Sequence, residues 1–207
     1  MEQSNNLKVI GFTGFFGAGK GTALSLVSKL TNASIYSTSE EISLELIKLG
    51  LPTDRFHKYE LANKRREEFG AGYWALRVVD KINLDINPVN VCLVDALRNV
   101  GEIEILKESF KENFILFSIE APIKLRYSRI LSRHRDSNDL LSYDDFIKSE
   151  EKENKPNPSK FEQSLSACAL LADFHIDNST SINELCIKLS SILTILKIPV
   201  IASCSQI

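Results

Sequence analysis

The chain has 207 residues, of which 43% are hydrophobic and 25% charged, with a formal net charge of −2. That length suits one domain, spanning 1–207, with a self-sufficient core, and the near-neutral balance excludes a global basic field for nucleic acid. No apolar run reaches membrane-spanning length and the opening residues lack the basic and apolar regions of a signal peptide, so no membrane partner and a cytoplasmic location are expected.

Leu7 to Thr13 is apolar and reads as a buried strand. Gly14-Phe-Phe-Gly17-Ala18-Gly19-Lys20-Gly21-Thr22 follows, and then Ala23, Leu26, Val27 and Leu30 recur at helical spacing. A glycine-rich turn between strand and helix gathers backbone N–H groups around one point. The positive end of the helix dipole faces that point, and Lys20 adds a mobile charge. The pattern is a phosphate cradle, so Gly14, Gly17, Ala18, Gly19, Lys20, Gly21 and Thr22 are the residues expected to hold a nucleotide.

Ala33–Tyr36 is the second candidate strand. Thr38-Ser39-Glu40-Glu41 fits a capping box, and Gly50-Leu51-Pro52 ends the helix it opens. Further helices are predicted from about Asp54 to Phe69 and from about Tyr73 to Ile82, making 38–83 a helical insertion. Tyr73 and Trp74 read as core aromatics rather than a stacking platform. Of Arg65 and Arg66, one is expected to face an acceptor and the other to make local ion pairs.

Val91–Val94 is the third strand and ends on Asp95. A carboxylate there faces the same crevice as the phosphate loop and suits the holding of water on Mg2+; a helix cap is its alternative role. Phe114–Glu120, nearly all apolar, is the fourth strand. The helix after Pro122 turns Ile123, Ile130 and Leu131 inward. It places Arg126, Arg129 and Arg133 on one face, with Arg135 beyond. Arg126 reads as part of a solvated face paired with Asp136 and Asp139. Arg129, Arg133 and Arg135 read as a positive lid over transferring phosphate, within a charged segment at 134–160. Phe174–Asp177 is the fifth strand, and Ser181-Ile-Asn-Glu184 caps a last helix reaching about Leu196. Residues 197–207 are expected to be a loose tail or an edge contact. The four cysteines, at 92, 168, 186 and 204, read as free thiols. His57, His134 and His175 are isolated, with no metal-ligand spacing.

The order Gly-Lys-Gly-Thr resembles the loop of adenylate kinase and other nucleoside monophosphate kinases. With Arg66-Glu-Glu-Phe-Gly, Val94-Asp-Ala-Leu-Arg-Asn and Ala172-Asp-Phe-His-Ile-Asp-Asn, the chain from about Val9 to Leu196 is similar to a largely uncharacterised archaeal family of predicted nucleotide kinases. It is similar too to the kinase-like domain of some deoxycytidylate deaminases. The resemblance implies an α/β, three-layer P-loop fold with a five-stranded parallel sheet, an acceptor-binding helical insertion and an arginine-bearing lid. It implies ATP and Mg2+ as cofactors, with Thr22 on a phosphate and the metal held largely through water by Thr22 and Asp95. It gives Arg98 the acceptor phosphate and places Thr38 beside the acceptor, although Ala96 stands where the family has glycine. The implied activity is phosphoryl transfer to a nucleoside or deoxynucleoside monophosphate by a monomer or homodimer. A dephospho-CoA kinase-like enzyme and an ATP-binding regulator are the rivals.

Overall fold

The computed structural model describes residues 7–85, 90–133, 142–154 and 158–206, the side chains of 133, 152 and 153 excepted. Five strands form one sheet: β1 (Lys8–Thr13), β2 (Ser34–Ser37), β3 (Val91–Asp95), β4 (Phe114–Glu120) and β5 (Phe174–Asp177). All pairings are parallel, in the order β2-β3-β1-β4-β5. Parallel neighbours need crossovers, and the helices supply them. They are α1 (Lys20–Thr31), α2 (Thr38–Lys48), α3 (Arg55–Phe69), α4 (Tyr73–Leu84), α5 (Val100–Phe110), α6 (Ile123–Arg133), α7 (Tyr143–Glu153), α8 (Leu165–Leu170) and α9 (Ile182–Ile195).

Period-two alternation divides the apolar residues between the two faces of the sheet. Ile10, Phe12, Leu93 and Phe117 pack with α1 and α9, whereas Val9, Val94 and Leu116 pack with α4 and α5. A third cluster, Ile42, Leu46, Leu61, Ala62 and Trp74, holds α2, α3 and α4 together. Trp74 is wholly buried there and donates its Nε1–H to the Ala62 carbonyl at 3.2 Å, while Tyr73 packs beside it. Both are therefore core residues.

Local capping departs from the expected pattern at two helices. The Thr38 box does not form, because α2 starts at Thr38 itself and Ser37 precedes it without a side-chain cap. At α5 a full box forms between Asn99 and Glu102, where the sequence reading had seen none. Asp54 caps α3, accepting from the amides of Phe56 and His57 at 2.9 and 3.1 Å. Ser181 caps α9, accepting from the Glu184 amide at 3.2 Å.

The cysteine expectation is corrected in part. Cys186 on α9 and Cys204 in the tail form a disulfide, whereas Cys92 and Cys168 are free and buried. Burial pushes the Cys92 thiol up to about 11 and raises that of Cys168 as well, so neither is a reactive thiolate near neutral pH. The tail is accordingly not loose. Ile198 is buried and the Ile201 amide donates to the Leu30 carbonyl at 2.8 Å, binding the segment to the α1–α9 layer. The bond closes a loop with a sequence separation of 18. Cys204→Ser is therefore expected to cost ~3 kcal/mol in the chain-entropy account, read as a lower urea midpoint than the oxidised wild type. An equal midpoint would mean that the tail's packing alone fixes it.

Candidate active site

The chain leaves β1 towards one face of the sheet, where α1 lies, and leaves β3 towards the other, where α5 lies. Neighbouring strands whose connections part in this way open a crevice at their C-terminal ends. Residues 14–19 enter that crevice from β1, and residues 95–98 enter it from β3.

Helix α1 begins at Lys20 with Gly19 before it in the left-handed region, φ 94°, and no side chain caps this end. The first-turn amides thus have no partner within the helix. Gly19 is required sterically as well as conformationally: a Cβ there would stand 2.2 Å from Asn178 Nδ2. Asn178 is buried, and that same amide donates to the Ala18 carbonyl at 2.8 Å. Because a trans peptide is planar, a carbonyl drawn towards Asn178 turns the Gly19 N–H the opposite way. Asn178 is itself held by its backbone N–H on the Glu120 carbonyl at 2.7 Å. The sequence reading gave Asn178 no role; its only signal was the Ala172–Asn178 stretch. Lys20 arches over the loop, its Nζ donating to the Gly14 and Phe15 carbonyls at 2.6 and 3.0 Å. Gly21 and Thr22 follow in the exposed first turn of α1.

Lys20 also lines a cavity of about 400 Å³ with Asp95, Ala96 and Arg98 on one side and Ser37, Ser39, Glu40, Ser43 and Lys58 on the other. Asp95 is not a helix cap, since Asn99 caps α5. Ala96 adopts φ 64°, a left-handed conformation that costs a residue with a Cβ about 1–2 kcal/mol. This is the physical reason a glycine suits the position. Thr38 Oγ1 secures the kink by donating to the Ala96 carbonyl at 2.9 Å. Thr38 is thus buried behind the cavity wall and is not among its lining residues. The Arg98 segment is fixed from both ends. Its amide donates to Glu102 Oε2 at 3.0 Å, and its carbonyl accepts from the Ser164 amide at 2.9 Å.

The arginines separate into two groups. Arg129 Nη1 lies 4.0 Å from where a Gly19 Cβ would stand, beside the start of α1. Arg126 is buried rather than solvated and pairs with Glu150, while Asp136 and Asp139 lie outside the described residues. Arg133 ends α6, but its side chain and all of Arg135 lie outside the described residues. Arg65 pairs with Glu45 and Glu68, both at 2.5 Å, and Arg66 is buried against Glu102 at 2.7 Å. Neither lines the cavity; Lys58, which the sequence reading did not single out, does.

Among the described residues, two buried side-chain polar atoms have no hydrogen-bond partner: Asp95 Oδ1 and Arg129 Nη1. A buried orphan normally costs about 1–3 kcal/mol, more if charged, so each asks for a ligand. One is an anion by the cavity and one a cation by the loop. Mg2+ takes one or two carboxylates and otherwise water and phosphate oxygens, so a carboxylate with one partnerless buried oxygen beside the glycine loop fits it.

No family model matches the chain. It is 30% identical over 147 residues to a UPF0200 protein of Methanosarcina mazei, covering 71% of this chain and 76% of that one. It is 28% identical over 187 residues to a UPF0200/UPF0201 protein of Archaeoglobus fulgidus, covering 90% of this chain and 55% of that protein. The chain thus spans little more than half the length of the latter. Among solved structures, a gluconokinase of Sinorhizobium meliloti superposes with a TM-score of 0.56 at 10% identity, over 93% of this chain and 95% of that one. The two chains therefore share a fold, the three-layer α/β P-loop arrangement.

Proposed function

The chain belongs to the UPF0200 family, and from that premise we propose that it is an ATP-dependent phosphotransferase acting on a nucleoside or deoxynucleoside monophosphate. The observation that carries this reading is the pair of partnerless buried atoms, Asp95 Oδ1 and Arg129 Nη1, flanking one phosphate loop. A hydrated cation on a triphosphate would satisfy the first, and a phosphate oxygen the second.

The roles follow from position. Amides 17–22 and the Lys20 ammonium hold the β- and γ-phosphates, with Thr22 at the mouth of the loop. Asp95 would hold hydrated Mg2+, which when bound would supply positive charge to the phosphates. Arg129 faces the transferring group from α6, and Arg133 and Arg135 extend that line in the sequence. The acceptor occupies the cavity lined by Lys58 and Arg98, where two cations suit an anionic acceptor. Such an acceptor is already a nucleophile at neutral pH and requires no general base. Serines 37, 39 and 43 and Glu40 offer hydrogen bonds to its polar remainder.

The test is a panel of ribo- and deoxynucleoside monophosphates, with dephospho-CoA and gluconate, scored by ADP release with ATP and Mg2+. One or a few monophosphates should support turnover well above the ATPase background. ATP binding with no turnover on any acceptor would make the chain a sensor. Turnover on dephospho-CoA or gluconate alone would reassign the acceptor.

A further inference from the structure

The phosphate loop has a second support, and it comes from α7. Gly17 lies so close to α6 that an added Cβ would stand 2.6 Å from the Arg126 carbonyl and 3.0 Å from Ile130 Cδ1. Arg126 is 6% exposed. Its Nε donates to the Ala121 carbonyl and its Nη1 to the Phe16 carbonyl, each at 3.1 Å. Both terminal nitrogens hold the Glu150 carboxylate, Nη2 at 2.8 Å. The guanidinium also covers the Phe15 ring at 5.1 Å and the Phe146 ring at 5.7 Å.

Phe146 is buried on α7 and meets Tyr127 of α6 at 5.5 Å, and Tyr127 meets Tyr143 at 5.1 Å. The aromatic cluster seats α7 on α6 and delivers one carboxylate to the arginine behind the loop. Without that carboxylate the guanidinium would be a buried charge with only carbonyls for partners, and it would move towards water. With it, the Phe16 carbonyl stays pinned outward. The peptide plane then turns the Gly17 N–H to the side away from Arg126. This repeats at Gly17 what Asn178 does at Gly19, using a charge contributed by another helix.

We propose that Glu150 is a positioning residue for triphosphate binding, acting through Arg126 to orient the Phe16–Gly17 peptide. The triphosphate part rests on the function proposed above; the orientation of the peptide does not.

The experiment compares the full chain with Glu150→Gln, Glu150→Asp and, as a control, Glu41→Gln. Glu41 is another buried, ion-paired carboxylate, held by Arg77 and Lys81 away from the loop. Three quantities are read: hydrogen exchange at the Gly17 and Ala18 amides, affinity for N-methylanthraniloyl ATP with Mg2+, and melting temperature. Glu150→Gln should speed loop exchange and weaken the analogue about tenfold each, the scale of one lost charge-assisted bond. Glu150→Asp should recover part of both, and Glu41→Gln should lower only the melting temperature. Wild-type exchange and affinity in Glu150→Gln would overturn the proposal, as would an equal loss in Glu41→Gln. If Glu150→Gln does not fold, Glu150→Asp decides: intermediate exchange and affinity support the proposal, and wild-type values oppose it. If the wild type binds no analogue, the proposed function falls while loop exchange still decides the role of Glu150.

Discussion

Lys20→Met is expected to abolish the proposed phosphoryl transfer and leave the protein folded. The ammonium is the mobile charge of the loop, and removing a charge aimed at a transferring phosphoryl group costs about a hundredfold to a thousandfold in kcat. The fold should tolerate the change. The Nζ bonds to the Gly14 and Phe15 carbonyls lie within the loop itself and not in the apolar core. Methionine matches the stem's length and apolar contacts. The measurement is ADP release with the best acceptor of the panel, beside a melting curve. Turnover like that of the wild type would remove the phosphate loop from the mechanism. Lost turnover with a collapsed melting curve would show that the loop holds the fold together, and a milder Lys20→Arg variant would then be read.

Arg66→Met is expected to be the most destabilising of the substitutions considered, at about 3–5 kcal/mol, because it strands a buried carboxylate. Arg66 donates Nε and Nη2 to Glu102 Oε1 at 3.2 and 2.7 Å and Nη1 to Asn63 Oδ1 at 3.0 Å. Glu102 is wholly buried, and its other oxygen accepts from the Arg98 and Asn99 amides at 3.0 and 3.2 Å. One carboxylate thus joins α3 to the loop that carries Arg98. Two readouts should move together: the denaturant midpoint falls, and KM for the acceptor rises more than KM for ATP. The paired variant Arg66→Met with Glu102→Gln should regain part of the stability, because it removes the stranded charge and keeps an acceptor for the two amides. A loss below about 1 kcal/mol would mean that removing Arg66 does not strand the Glu102 carboxylate.

Much of this architecture is legible in the chain because periodicity is a local property. Each strand begins and ends within one residue of its expected position, and α3 within one. The loop is legible because glycines and one lysine at fixed offsets have few other uses between a strand and a helix. What escapes is whatever depends on distant pairs. Asn178 reaches Ala18 across 160 positions, and Arg126 reaches Phe16 across 110. No spacing rule tells which asparagine or arginine makes such a reach. Arg65 and Arg66 mislead for the opposite reason. An Arg-Arg pair in a helical insertion invites an acceptor role, yet Glu45, Glu68 and Glu102 consume both guanidinium groups. Lys58 and the serines of α2 take the cavity instead, and a serine or a lone lysine on a helix gives no distinctive signal. The cysteine pair escapes because α9 and the returning tail create the proximity.

Helix α4 presents two opposed surfaces: Trp74 belongs to the small core shared with α2 and α3, while Ala75, Val78, Val79 and Ile82 belong to the sheet. It therefore serves as a mount between an unchanging chassis and an interchangeable head. Relatives could diverge in acceptor taste by redrafting the outward residues of α2 and α3, and the glycine loop proposed to grip a triphosphate would not register the difference.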